Sequence, residues 1–166
     1  MAPTTYRRLR TPHSNAVERR GQGIALDSRE YALLAAEAAS DKKAEDIIAI
    51  NVAELLVVTD YFVICTGRND RQVRTIAEEV ELQMKRAGLP AIGVEGADEG
   101  KWVLIDFVDV VVHVFQPAER DFYRLEKLWS DAPRLPMPEE ITGVAPAAQR
   151  DETSGGDAGA AETSTP

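Results

Sequence analysis

Residues 101–116 read KWVLIDFVDVVVHVFQ. Two runs rich in β-branched and aromatic residues, Trp102–Phe107 and Val110–Phe115, read as strands. Val108-Asp109 is a tight connection between them, although it lacks the glycine that a primed turn prefers. Upstream, Val57–Thr66 (VVTDYFVICT) is nearly continuously apolar, as expected of a strand covered on both faces, and Gly67 ends it. Asp46–Val52 (DIIAINV) is a shorter β-branched run, and Ile92–Val94 makes a third, brief one.

Helical periods alternate with these strands. Asp27-Ser28-Arg29-Glu30 has the form of a capping box, and the Ala/Leu-rich stretch from Tyr31 to Ser40 follows it. Asn69 or Asp70 can cap a second helix with apolar positions Val73, Ile76, Ala77, Val80, Met84 and Ala87, which Gly88 and Pro90 stop. Pro117 suits the first turn of a last helix, with Phe122, Leu125, Leu128 and Trp129 as its apolar stripe. The order α-β-β-α-β-β-β-α predicts an α/β (α+β) domain, a mixed sheet of five strands flanked by helices.

The chain divides by composition. Residues 1–23 hold five arginines against Glu18 and lack hydrophobic periodicity, and they read as a flexible basic arm. Residues 133–166 are rich in Pro, Ala, Gly, Thr and Glu and read as a disordered acidic tail. Between them, 24–132 forms one domain with 21 acids and 12 bases, within a net charge of −9 for all 166 residues. Phosphate backbones repel such a domain, so a nucleoprotein partner is met through its protein part. No apolar run reaches the roughly 18 residues of a membrane span. The N-terminal arginines have no apolar stretch behind them, which argues against a secretory signal. Pro3 and Pro12 disfavour the amphipathic helix of a transit peptide, so a bacterial cytoplasm is expected rather than an organelle.

Catalytic patterns are weak. There is no GxxxxGK[ST] phosphate loop and no strand-linked GxGxxG. Cys65 is the single cysteine and lies inside an apolar run, which suits an inert thiol. His113 reads as a sheet histidine with one satisfied nitrogen. Asp60, Asp106 and Asp109 fall at strand ends or turns, but an i, i+3 spacing across a turn does not converge two carboxylates on a metal. Arg68 and Arg71 flank a helix start that is better explained by capping than by anion binding. Neither a cofactor nor a metal is expected. The loop EGADEGKW, residues 95–102, runs acids and glycines into an aromatic, and Trp102 is open to two roles, core edge or interface anchor.

DIIAINV, VVTDYFVICTG, the helix with Val73, Ile76 and Ala77, GVEG, KWVLIDFVDVVVHVFQ and RDFYRLEKLWSDA together resemble the ribosomal silencing factor (Iojap) family in order and spacing, across nearly all of 28–132. Val108 stands where many members carry glycine. The resemblance implies a nucleotidyltransferase-like fold without its active site, and a non-enzymatic translational repressor. It implies binding to the large ribosomal subunit through ribosomal protein L-fourteen, blocking small-subunit joining when nutrients are scarce, and a part in large-subunit biogenesis. It places docking on the strand holding Trp102, with Trp102 as the anchor, Glu95, Asp106 and Asp109 as charge partners, and Tyr123 as a further contact. Asp109 is equally readable as a turn-former, and Tyr123 as core. The competing readings are an active nucleotidyltransferase-like enzyme and a generic adaptor for another basic protein. Homodimerisation of the free protein is left open by the sequence.

Overall fold

A computed structural model describes residues 25–142. The arm at 1–23 and most of the tail from 143 onward lie outside the described residues. The elements are α1 (Ser28–Asp41), β1 (Glu45–Asn51), β2 (Tyr61–Thr66), α2 (Asp70–Arg86), β3 (Gly93–Glu95), β4 (Trp102–Asp106), β5 (Val110–Phe115), α3 (Pro117–Tyr123), α4 (Leu125–Leu128) and α5 (Glu139–Thr142). The five strands form one sheet in the order β1-β2-β5-β4-β3, with β2 and β5 parallel and the other neighbours antiparallel.

Local chemistry sets the helix starts. Asp27 accepts from the Glu30 N–H while the Glu30 carboxylate accepts from the Asp27 N–H, a complete capping box. Asn69 caps α2 through the Gln72 N–H. Both helices pack on one sheet face. Ala32, Ala35, Ala36 and Ala39 of α1, and Val73, Ile76, Val80 and Met84 of α2, meet Val63, Cys65, Val103, Ile105, Val112 and Val114 there. The small alanines let α1 approach closely. A Leu-to-Ala-sized loss from such a close-packed layer costs about 2–5 kcal/mol.

Four expectations need correction. The second strand begins at Tyr61, not Val57: residues 52–60 form a looped connection in which Val57 is 95% exposed. Apolar composition alone could not distinguish that loop from a buried strand. The last helix is broken, because Arg124 adopts a left-handed conformation (φ 48°) between α3 and α4. Its stripe therefore splits: Leu125 and Trp129 pack on the sheet, whereas Leu128 and Phe122 (80% exposed) face solvent. Finally, the folded unit does not stop at 132. Asn51 N–H donates to Pro133 O and Leu135 N–H to Ala49 O, Leu135 is buried, and this segment covers the free edge of β1.

The β4–β5 turn carries a cost. Val108 sits at φ 73° with its side chain 45% exposed. A β-branched residue there is strained by about 1–2 kcal/mol. The Asp106 carboxylate, accepting from the Val108 N–H at 2.8 Å, helps hold the turn. Val108→Gly should therefore raise stability by about 1 kcal/mol in chemical denaturation, net of glycine's extra unfolded-state entropy. A lowered midpoint would mean that the valine side chain stabilises the turn by more than its backbone strain.

Candidate protein-docking face

The second sheet face is built from the alternate residues. Register aligns Glu95, Leu104, His113, Ile64 and Ile48 in one row across it, and Gly93, Asp106, Val111, Phe62 and Ile50 in the next. Over β1 and β2 this face is covered by Leu125, Trp129 and Ala132. Towards β4 and β3 it is only half covered, and there the aromatic side chains gather.

Trp102 lies at the start of β4, stacked on Phe115 (centroids 4.9 Å, 24° between planes) and against Tyr123 (4.6 Å). Its indole N–H donates to His113 Nδ1 at 3.2 Å. An indole nitrogen can only donate, so the neutral His113 ring carries its proton on Nε2, which is buried without a partner among the described residues. Burial lowers the His113 pKa from 6.5 to about 4. Trp102 is thus half-buried and structurally committed as well as partly accessible. Tyr123 is 48% exposed, and Phe122 meets it edge-on at 5.0 Å, extending the aromatic patch outward.

The sequence-predicted residues separate into two groups. Trp102, Tyr123 and Glu95 lie at one end of β4. Asp106 is on the same face but four residues away, about 13 Å along the strand. Asp109 is beyond the turn, where its carbonyl accepts from the Asp60 and Tyr61 N–H groups. Asp106 supplies a turn-forming carboxylate, accepting from the Val108 N–H. Among the described residues, no cluster of three His, Cys, Asp or Glu side chains is placed to hold a metal. Cys65 is fully buried, and burial pushes its thiol up to about 12.

The loop beside Trp102 is held firmly. Arg74 on α2 donates to Ala97 O (2.8 Å) and Asp98 O (2.7 Å) while pairing with Asp70. Gly96 (φ +81°) leaves no room for a side chain, since a Cβ there would lie 2.0 Å from the Trp102 carbonyl oxygen. Gln116 bonds Gly100 O at 2.9 Å from the other side. A groove of about 430 Å³ results, lined by Gly96, Glu99, Lys101, Trp102, Glu119 and Tyr123. Arg74, Glu119 and Phe122 were not singled out from sequence as parts of the site. Arg74 had a local signal, its i+4 spacing from Asp70, but its grip on the loop is a tertiary contact. Phe122 carries only the sequence signal of an apolar helix stripe.

Known proteins resemble this chain along the same segments. A family profile described as ribosomal silencing factor during starvation matches residues 25–164. The ribosomal silencing factor of Bacillus subtilis is 47% identical over 108 residues, covering 65% of this chain and 92% of that protein. A mouse protein named for mitochondrial assembly of the ribosomal large subunit is 34% identical over 92 residues, covering 54% of this chain and 40% of that protein. A crystal structure of a Chromobacterium violaceum protein superposes with a TM-score of 0.62 at 41% identity, covering 63% of this chain and 88% of that one.

Two measurements check this site. Trp102→Ala should lower stability by about 2 kcal/mol, because stacking and the His113 bond are both lost. Trp102→Phe should recover roughly half of that. An unchanged melting temperature for Trp102→Ala would show that the indole adds little to the folded state and serves as an interface residue alone. His113, neutral when folded and protonated more readily when unfolded, stabilises the fold above pH 6.5, and this is lost as pH falls towards 4. Stability should drop by about 2 kcal/mol between pH 7 and pH 5. The drop should largely vanish in His113→Gln. An equal drop in both proteins would assign the acid sensitivity elsewhere.

Proposed function

The chain belongs to the ribosomal silencing factor family, and on that premise we propose that it docks on the large ribosomal subunit through ribosomal protein L-fourteen and blocks joining of the small subunit when nutrients are limiting. The observation that carries this reading is the half-covered aromatic end of the sheet, where Tyr123 and Phe122 project beside Trp102, with acids at Glu95, Asp98 and Glu99. Aromatic anchors inside a charged rim are the usual energetic centre of a protein interface. Ribosomal proteins are basic, so the acidic domain is steered to an exposed basic patch and repelled by surrounding RNA. Asp106 and Asp109 serve as outlying charge partners in this reading.

No reaction or cofactor is needed, and we place the protein among non-enzymatic regulators in a bacterial cytoplasm. A rigid domain on the joining face prevents association by excluded volume. It binds the free subunit and not the joined ribosome, so the equilibrium shifts by mass action. Residues 24–132, extended to 142, form the docking module, and the terminal segments are dispensable for binding. A part in late large-subunit assembly is compatible with the same contact, as the name of the mouse relative suggests for that protein.

The test is subunit joining followed by light scattering with purified subunits. Added protein should reduce joining, and it should co-sediment with large subunits. Combined Phe122→Ala and Tyr123→Ala should weaken binding about 30-fold, equivalent to about 2 kcal/mol, with inhibition falling in parallel. Glu95→Lys should act chiefly on association rate and its salt dependence. Absence of co-sedimentation, with capture of a different basic protein, would favour the adaptor reading. Saturable micromolar Mg-ATP binding would favour the enzyme reading. A variant that binds fully yet fails to inhibit would rule out simple exclusion.

A further inference from the structure

The corner between α3 and α4 runs against its own sequence pattern. Phe122, Leu125 and Trp129 are spaced i, i+3 and i+7, so one unbroken helix would put all three on a single stripe. Leu125 and Trp129 do pack on the sheet, but Phe122 is 80% exposed. Arg124 separates them in a left-handed conformation (φ 48°, ψ 51°), which costs energy in a residue with a Cβ. Backbone strain and an exposed aromatic are both unfavourable in the free domain. Their combination is the kind that persists where function uses it and the surroundings enforce it.

Burial does not enforce it, since neither α3 nor α4 contains a fully buried residue. A polar clamp does. Arg120 donates from Nη1 to Thr66 Oγ1 at 2.7 Å, at the end of β2, and from Nε to Glu126 Oε1 at 2.6 Å, on α4. The Arg120 side chain is 12% exposed and that of Glu126 22%, so the pair is largely shielded from water. Charge-assisted bonds of this kind are short, directional and costly to break from one side. The Arg120–Glu126 pair spans the left-handed residue, and Thr66 fixes it to the sheet. We propose that Arg120 is a positioning residue for docking: its clamp keeps the corner broken, and the broken corner holds Phe122 and Tyr123 outward. The inference rests on the docking reading above and assigns the residue that sets the geometry of its aromatic contact. Released from the clamp, Arg124 returns to the right-handed region and the two helices join. Phe122 then turns towards the sheet beside Leu125, and Tyr123 leaves its place 4.6 Å from the Trp102 ring.

Two arms, both on the full chain, test this. The first reads the free protein by NMR, through contacts between the Trp102 and Tyr123 rings and the intraresidue amide–Hα contact of Arg124, which is strong at positive φ. Arg120→Met should abolish the first and weaken the second. Adding Arg124→Gly should restore the ring contacts, because glycine adopts the left-handed conformation without the clamp. Unchanged contacts in Arg120→Met would overturn the proposal. The second arm measures large-subunit binding by co-sedimentation. Arg120→Met should bind about tenfold more weakly, and Arg124→Gly should recover most of that loss. In the combined Phe122→Ala and Tyr123→Ala background, Arg120→Met should cost less than about twofold more, since its effect passes through those two rings. An arginine that is merely structural would lower affinity equally in both backgrounds with no recovery by glycine, and that result would overturn the proposal. Glu126→Gln keeps the Thr66 bond and should act in the same direction with a smaller loss; it replaces Arg120→Met if that variant fails to fold, and parent-like binding would again overturn the proposal. A parent chain that binds no large subunits would overturn the docking reading, while the first arm still decides whether Arg120 sets the corner.

Discussion

Parallel pairing of β2 with β5 constrains everything else in this domain. Two parallel strands cannot be joined by a short turn, so the chain between Thr66 and Val110 must cross back over the sheet. It does so through α2, which seals one face, and then through β3 and β4, which add to the far side of β5. Once α1 and α2 occupy the first face, the return through β4 leaves the β4–β3 end of the second face without a helix. The partial exposure of Trp102 and its neighbours follows from that path. The strained Val108 turn does too, because β4 must reverse directly into β5.

The same asymmetry explains the stiffness of the candidate site. Its side chains stand on β4 and β5, on a loop clamped by Arg74, and on α3, which is tied to the sheet by Arg120 bonding Thr66. Little rearrangement is needed to present them, which lowers the entropic cost of association. His113 beneath Trp102 must stay neutral for the indole to keep its acceptor, so packing of the aromatic cluster and protonation state are coupled.

Much of this was legible from residues. The capping box at Asp27, the α2 stripe and the β4–β5 strand pair follow from local pattern, because neighbours along the chain supply the interactions concerned. Val57 and Val58 misled because composition does not record which apolar residues lack a partner. The break at Arg124 was invisible because no glycine or asparagine marks the left-handed position. Leu135 carries no local sign of burial, because that burial depends on the edge of β1, far away in sequence. At the site, Trp102 was conspicuous as an aromatic after an acidic loop. Glu119 was not, since its place in the groove is a property of three-dimensional surroundings alone.

Cys65 has a practical consequence. It is the sole cysteine in the chain, fully enclosed between β2 and the helices, with its thiol held protonated far above neutrality. Maleimide reagents should pass it by in the native protein. A cysteine placed at an exposed position such as Glu78 would then accept a fluorophore at that one site, without first removing the native thiol. Distance changes between such a dye and a labelled subunit could be followed as the two meet.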